Sequence, residues 1–254
     1  MKVMLKSFVA GLVVIAGVST TYADNHSLEV VPVELYTCNF HEGKGHDDLD
    51  AVIDKWNDWA DKSRVDNYAA WTLTPYYFGP EQTFDIIWLG AGKNGVALGK
   101  AQDLYNAEDA GLHAAFNEVL SCDAHVNFAS IAYKLPPKDK TPADSVLTFS
   151  DCKMKEGATF AALGAAMAQW AQHQADAGSD TPIWHWWPAY GGGGEAFDFK
   201  WLEAHDSLAD LGADYDAYGN GGGYVVRNRL LGHMLSCDSS RAYMAKNRRY
   251  AQLR

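Results

Sequence analysis

The tetrapeptide LSCD occurs twice in the chain, at residues 120–123 in FNEVLSCDAHVNF and at residues 235–238 in GHMLSCDSSRAYM. The two copies are 115 residues apart, about the length of a small domain. Other residues recur in the same order at offsets of 113 or 114. Ordered matches of this kind indicate an internal duplication. The matching pairs are Cys38 and Cys152, Trp56 and Trp170, Pro75 and Pro188, and Trp88 and Trp201.

Each half has the same predicted order: strand, helix, strand, strand, helix, strand. This βαββαβ order is the ferredoxin-like motif, so we expect an α+β fold of two tandem ferredoxin-like repeats. The repeats span residues 30–135 and 145–250, and a proline-containing linker covers residues 136–144. Within the first repeat, residues 48–62 have helical spacing, with one apolar face formed by Leu49, Val52, Ile53, Trp56 and Trp59.

The usual sheet order of the ferredoxin-like motif predicts how the four cysteines pair. Strand 1 lies between strands 3 and 4 and runs antiparallel to strand 4. Cysteines at the end of strand 1 and the start of strand 4 therefore meet, which predicts the disulfides Cys38–Cys122 and Cys152–Cys237 with Cα atoms about 6 Å apart. A four-cysteine zinc site is the rival interpretation, although the sequence has no C-x-x-C pair. A catalytic thiol is a further alternative.

The first residues have the parts of a secretory signal peptide. Lysines in MKVMLK precede the apolar run SFVAGLVVIAGV, and STTYA follows, which ends in the small residue Ala23. The apolar run has 12 residues, fewer than the roughly 20 of a membrane-spanning helix. We therefore expect residues 1–23 to be removed and the mature protein to be periplasmic or secreted. An uncleaved anchor is the alternative.

The net charge of the chain argues against two classes of partner. The charge is −11, and it becomes −13 when Lys2 and Lys6 are removed with the signal peptide. An acidic surface repels nucleic acid and anionic membranes, so we expect neither as a partner. No other long apolar run occurs, so we expect a soluble protein that is not inserted in a membrane, and its oligomeric state is left open.

The opening VELYTCNFHEGKGHDDLDAVIDKW, together with the two ferredoxin-like repeats, resembles the dimeric α/β-barrel superfamily, and the first half resembles its NIPSNAP-type members. The resemblance covers residues 30–135 and 145–250. It implies a pseudo-dimer within one chain, in which two sheets face each other around a central cavity. Members of the superfamily include cofactor-free oxygenases, haem peroxidases and proteins without a known reaction, so the fold alone does not select a function.

Alternation along the strands predicts which residues border the cavity. Val33 and Leu35 match Leu147 and Phe149, and we expect this apolar face to pack on the helices. The opposite face would then look into the space between the sheets, together with one face of the aromatic stretch WHWWP at residues 184–188. The predicted ligand-binding residues are Glu34, Tyr36, Asp85, Trp184, Trp186, Asp198 and Lys200, with Trp187 replacing the other two tryptophans if the register differs.

Three other patterns have competing interpretations. The aromatic stretch could form a subunit interface, and an aspartate with Lys200 could be a structural ion pair. GAGKNG at residues 90–95 matches the dinucleotide-binding pattern G-x-G-x-x-G. The second half has EAHDSL at that place, so we interpret the glycines as a turn into a helix.

The histidines provide weak signals for a metal or a cofactor. His41, His46 and Asp47 could hold a metal, but a solvated loop explains them, and we predict no metal site. Chlorite-dismutase-like relatives use a helix histidine of the second repeat as an axial haem ligand, and His233, near Arg227 and Arg229, is the candidate that this resemblance implies. We predict no cofactor, with haem at His233 as the alternative.

Three functions fit this sequence. The first is an exported protein that binds a small organic molecule in the inter-sheet cavity. The second is an oxygenase or haem-peroxidase-like enzyme on the same fold, and the third is a structural or interaction module without a ligand. A Soret band would identify haem, and quenching of tryptophan fluorescence would identify ligand binding.

Overall fold

The structure is a computed structural model that describes residues 30–108, 110–137 and 143–251. The predicted signal peptide and residues 138–142 of the predicted linker lie outside the described residues. No helix in the described ranges is long and apolar enough to cross a membrane.

The elements follow the predicted order, with two subdivisions. The second helix of each half is split in two, and the last strand of the second half is split into β8 and β9. The first half comprises β1 (Val30–Phe40), α1 (His46–Lys62), β2 (Tyr68–Tyr77), β3 (Ile86–Gly92), α2 (Gly95–Asn106), α3 (Leu112–Asn117) and β4 (Leu120–Lys134). The second half comprises β5 (Ser145–Met154), α4 (Phe160–Asp176), β6 (Ile183–Tyr190), β7 (Phe199–His205), α5 (Leu208–Gly219), α6 (Gly223–Leu231), β8 (Leu235–Cys237) and β9 (Arg241–Arg249).

The strands form one closed antiparallel barrel. Strand β1 lies between β3 and β4, and β5 lies between β7 and β9, as predicted. The halves are joined by β2 pairing with β9 and by β4 pairing with β6. The ring therefore runs β7-β6-β4-β1-β3-β2-β9-β5 and closes through the β5–β7 pair. Closure leaves no free edge on these eight strands.

Strand side chains from both halves fill the barrel interior. Val33, Leu35, Leu147 and Phe149 point into this barrel core, so the prediction that they pack on the helices is wrong. A closed ring of eight strands encloses a space just wide enough for its own side chains, which must be apolar to fill it without water. The buried residues of the barrel core are Val31, Val33, Leu35, Leu73, Ile87, Leu89, Ala91, Phe128, Leu147, Phe149, Trp186, Leu202, Tyr243 and Ala245.

The helices cover the outside of the barrel in two layers. In the first-half helix layer, α1 buries Leu49, Val52, Ile53 and Trp56 against the sheet, as its spacing predicted. In the second-half helix layer, α4 and α6 pack on Phe199 and Trp201 of β7 and on their neighbours. The strands are therefore buried on both faces, by the barrel core inside and by the helices outside.

Both predicted disulfides are present. Cys38 bonds Cys122 and Cys152 bonds Cys237, across sequence separations of 84 and 85 residues. The Cα atoms are 3.9 and 4.0 Å apart, less than the predicted distance, because each pair is directly cross-strand in an antiparallel ladder. Each half therefore has its own covalent link between its first strand and its last.

Removing either disulfide should destabilise the protein by a similar amount, because the two loops have nearly equal length. We expect the double variants Cys38→Ser/Cys122→Ser and Cys152→Ser/Cys237→Ser each to lose about 2–5 kcal/mol of unfolding free energy in urea titrations. Peptide mapping without reductant checks the pairing. A peptide joining Cys38 to Cys152 would contradict it.

Candidate functional site

The space between the two halves is a packed core rather than a ligand cavity. Trp186 is 4 % exposed and contacts Phe128 and Phe149 inside the barrel, and Trp184 packs against the same core. His185 and Trp187 lie on the outward face of β6, in contact with Phe199. Trp184 and Trp186 therefore face the barrel interior and help to fill it, and Trp187 faces outward.

The two predicted aspartates are exposed and act as backbone acceptors. The Asp85 carboxylate accepts the N–H of Phe40 at 3.0 Å, and the Asp198 carboxylate accepts the N–H of Met154 at 2.6 Å. Both residues therefore hold the end of the first strand of their own half. The two aspartates do not border the space between the sheets, where they were expected to lie. Each precedes its strand, and its carboxylate turns toward the neighbouring backbone.

Lys200 faces the inside of the barrel near one end, and its partner is a residue that the sequence reasoning missed. Its Nζ lies 2.6 Å from Oδ1 of Asp151, and Arg241 lies 3.2 Å from Oδ2 of the same carboxylate. The ammonium also lies 4.1 Å from the centre of the Phe197 ring. The structural ion pair foreseen for Lys200 is present, with Asp151 in place of Asp198.

Glu34 and Tyr36 lie on the outward face of β1, beneath the helices, and not on the cavity face where they were predicted. Glu34 is 3 % exposed and accepts three hydrogen bonds. Tyr68 donates from 2.7 Å, Gln102 of α2 from 2.6 Å, and Nε2 of His125 from 2.8 Å. A buried carboxylate requires such donors, because an unpaired buried charge costs several kcal/mol.

The imidazole of His125 is the part of this cluster that solvent reaches. Its side chain is 44 % exposed, and its ring stacks on Tyr36 with a centroid distance of 3.8 Å and an interplanar angle of 12°. Because a carboxylate oxygen can only accept, Nε2 of His125 donates to Glu34, and in the neutral imidazole Nδ1 is then the acceptor. The histidine–carboxylate pair therefore presents a hydrogen-bond acceptor at the surface.

Burial keeps the tyrosines of the cluster protonated. Burial, followed by the Glu34 charge, raises the pKa of Tyr68 well above its ordinary value, and the same two causes raise the pKa of Tyr36. Tyr68 therefore donates to Glu34, and it accepts a 2.9 Å hydrogen bond from the indole of Trp88. The cluster is a connected network with a single exposed end at His125.

The glycines of the GAGKNG motif make room for this cluster and start a helix. A Cβ on Gly90 would lie 2.0 Å from the Tyr68 hydroxyl and 2.8 Å from Oε1 of Glu34. Asn94 caps α2 by accepting the N–H of Ala97 at 2.9 Å. The interpretation of the motif as a turn into a helix is therefore confirmed. Gly90 is also needed because any side chain there would collide with Tyr68 and Glu34, which the sequence pattern did not show.

The second half has the same backbone positions without this cluster. Glu34 pairs with Gly90 across the sheet, and the corresponding pair is Thr148 with Glu203. The stacked Tyr36 and His125 correspond to two serines, Ser150 and Ser240, whose hydroxyls are 2.6 Å apart. The fold therefore forms at these positions without an imidazole, and the carboxylate of this pair, on Glu203, is only partly buried and accepts from Trp201 at 3.2 Å.

The second-half helix layer contains a different histidine, which is sealed. His185 is fully buried, is stacked on Phe199 at 4.1 Å, and has no hydrogen-bond partner among the described residues. Burial, followed by the charge of Arg227, lowers the pKa of His185 well below its ordinary value. The ring is therefore neutral, and a ligand could reach it only if the layer opened.

A second polar cluster lies beside a cleft of about 210 Å³ at the end of α4. His205 lies 3.2 Å from the Asp214 carboxylate, which also accepts a hydrogen bond from Thr181 at 2.5 Å. Burial alone would raise the pKa of Asp214, but hydrogen bonds from His205, Thr181 and Ser179 lower it. Nδ1 of His205, Thr181 and Asp214 contact one another, whereas Nε2 of His205 is buried without a hydrogen-bond partner among the described residues.

The described residues do not form a haem site around His233. This residue lies in the turn between α6 and β8 and is exposed, while the neighbouring Met234 is buried in the second-half helix layer. That layer is filled by side chains such as Trp170 and Trp201, which a porphyrin would have to displace.

The residues considered for a metal have other contacts. Among the described residues, no three His, Cys, Asp or Glu side chains are grouped so that they could hold a metal ion. The His41 ring is within hydrogen-bonding distance of the carbonyl oxygen of Asn117, at 3.0 Å, and His46 packs edge-on against Phe40.

Comparisons with known proteins establish the fold. No protein-family model matches the sequence, and no curated protein matches it. A solved structure assigned as a chlorite dismutase superposes with a TM-score of 0.55 at 10 % identity, covering 87 % of this chain and 96 % of the other. One assigned as a monooxygenase from Lactobacillus acidophilus gives 0.54 at 9 % identity, covering 89 % and 97 %. A haem-binding protein from Thermus thermophilus gives 0.51 at 8 % identity, covering 86 % and 92 %. The chain therefore has the fold of the dimeric α/β-barrel superfamily, as the resemblance predicted.

The buried neutral His185 should make the protein sensitive to acid. The pKa of His185 is lower in the folded chain than in the unfolded chain, so below about pH 6.5 the unfolded chain binds one more proton. The free energy of unfolding therefore decreases as the pH is lowered, by up to about 1.4 kcal/mol per pH unit. We expect His185→Phe to have a smaller loss of unfolding free energy between pH 6.5 and 5 than the wild type, measured in urea at each pH. His233→Ala, at an exposed ring, is the matched control and should behave as the wild type. Equal slopes in all three proteins would contradict this account.

Proposed function

We propose that the protein binds a small organic molecule at the exposed imidazole of His125, on the outward face of the first-half sheet. One observation carries the proposal: the second half builds the same strands with Thr148, Ser150 and Ser240 where the first half has Glu34, Tyr36 and His125. Because burying a carboxylate is costly and the fold does not need it, its place in one half indicates a functional role.

The network suits recognition of a hydrogen-bond donor. Glu34 orients the imidazole through Nε2, Tyr68 and Gln102 hold Glu34, and Nδ1 of His125 is left as the acceptor. A site positioned by a surrounding network loses little entropy when it binds, which favours affinity for a small ligand. Structures with the same fold include a haem-binding protein and a protein assigned as a monooxygenase, and their roles support a small-molecule role here.

A second candidate is an enzyme of the oxygenase kind in which His125 accepts a proton from its substrate. The 2.8 Å contact between His125 and Glu34 favours this role, because a carboxylate stabilises the imidazolium that forms when the imidazole takes up a proton. Oxygen consumption with a panel of acidic phenols, compared between the wild type and His125→Ala, separates catalysis from binding. Ligand binding without turnover would favour the binding role.

We also propose that the protein is exported. Two disulfides fit an oxidising compartment, and the first 23 residues have the composition of a signal peptide. Intact-mass analysis of protein from its natural source should show cleavage within two residues of Ala23. A retained Met1 would contradict export by this route.

Changing His125 should remove ligand binding and leave the fold intact, because this side chain is nearly half exposed. We expect His125→Ala to lose, or weaken at least about tenfold, the hits found when the wild type is screened by saturation-transfer NMR against small phenols, alcohols and amides. Glu34→Gln should weaken the same hits, because the new amide N–H would face Tyr68, Gln102 or His125, which all donate to the carboxylate in the wild type, and the imidazole would lose its orientation. The same mismatch should lower the free energy of unfolding by about 1–3 kcal/mol.

Ser240→Ala is the matched control, because Ser240 occupies the position of His125 in the second half. It should leave every hit unchanged. Equal binding by the wild type and His125→Ala, with both folded by circular dichroism, would contradict the proposed site.

A further inference from the structure

A tyrosine from the second half lies beside the His125 site. Tyr190 ends β6, is 79 % exposed, and pairs with Asn127 of β4. Val126 and Phe128 face the barrel core, so alternation places Asn127 and His125 on the outward face. The register between β4 and β6 shifts between Asn127 and Phe128, and the shifted register pairs Tyr190 with Asn127. Cross-strand partners share a face, so Tyr190 lies on the outward surface that carries His125.

The turn after Tyr190 lies against the backbone of His125. A Cβ on Gly191 would be 2.4 Å from the carbonyl oxygen of His125, and Gly191 has φ +83°, so a glycine is required for this close approach. Residues 191–194 are all glycine and add no side chains next to the imidazole. The surface beside the ring is therefore bounded by Tyr36 on one side and by Tyr190 on the other.

We infer that Tyr190 forms the second wall of the His125 site and that the ligand is a planar aromatic molecule carrying a hydrogen-bond donor. This inference rests on the proposed function. Tyr36 already covers one face of the His125 ring at 3.8 Å, so the ligand approaches Nδ1 along the plane of the imidazole, where its donor meets the lone pair. Its flat face then packs against the phenol ring of Tyr190.

The charges near the site select against an anionic ligand. Glu34 lies beneath the imidazole, Asp123 is two residues from His125 on β4, and Glu195 accepts the N–H of Gly193 in the glycine turn. The whole chain has a net charge of −11. A neutral or cationic aromatic molecule is therefore favoured over a carboxylate or a phosphate.

The duplication supplies a matched control for Tyr190. Tyr77 occupies the same position at the end of β2, is 59 % exposed, and pairs with Ala242 as Tyr190 pairs with Asn127. The residue at the position of His125 is Ser240. Tyr77 therefore provides a similar exposed phenol without an imidazole beside it.

Calorimetric titration with naphthol, which is planar, neutral and a donor, tests the inference. We expect the wild type to bind it, and Tyr190→Ala to bind roughly three- to tenfold more weakly, the size of one aromatic contact. Tyr190→Phe should retain the affinity, and Tyr77→Ala should match the wild type. Decahydronaphthol, which is not planar, and naphthoate, which is anionic, should both bind more weakly than naphthol.

Equal affinities for the wild type and Tyr190→Ala, or an equal loss in Tyr77→Ala, would overturn the role of Tyr190. His125→Ala separates this failure from a failure of the proposed function. If His125→Ala loses naphthol binding while Tyr190→Ala keeps it, the His125 site stands and the second wall is wrong. If neither variant changes binding, both proposals fail. A wild type that binds decahydronaphthol or naphthoate as well as naphthol, or that does not bind naphthol, overturns the ligand class.

Discussion

Two strand pairings between the halves, β4 with β6 and β2 with β9, are the contacts on which the rest of the structure depends. Without them, each four-stranded sheet would expose two hydrogen-bonding edges and one apolar face. With them, the strands close into a ring and bury the apolar faces of both sheets in one barrel core. Hydrophobic burial in this core and the satisfaction of the strand edges come from the same closure.

Closure also determines where polar chemistry can occur. The interior of an eight-stranded ring is filled by side chains, so a charge there needs a partner, as Lys200 and Asp151 show at one end. The polar cluster centred on Glu34 lies on the outward side of the first sheet, where α2 supplies Gln102 and solvent reaches His125. The site is therefore between the sheet and the surface, not between the halves.

Because both halves lie in one chain, their sequences can differ. A homodimer would bury two copies of the Glu34 carboxylate and meet the desolvation cost twice. Here the second half replaces the glycine beneath the cluster by Glu203 and the stacked rings by Ser150 and Ser240. One half carries the candidate site, and the other keeps a sealed aromatic layer around His185.

The sequence by itself determined the order of the elements, the α1 face and both disulfide pairs, because these depend on local periodicity and on the known strand order of one motif. It did not determine which face of β1 is inside. Val33 and Glu34 alternate, and alternation shows that two faces differ, but both faces are buried here, so polarity alone selects the wrong one. It also did not show that His125 meets Glu34 across 91 residues, or that Tyr190 of the other half lies beside them. Only the tertiary structure decided these contacts, because cross-strand register and the neighbour across the barrel seam are set when the ring closes in three dimensions.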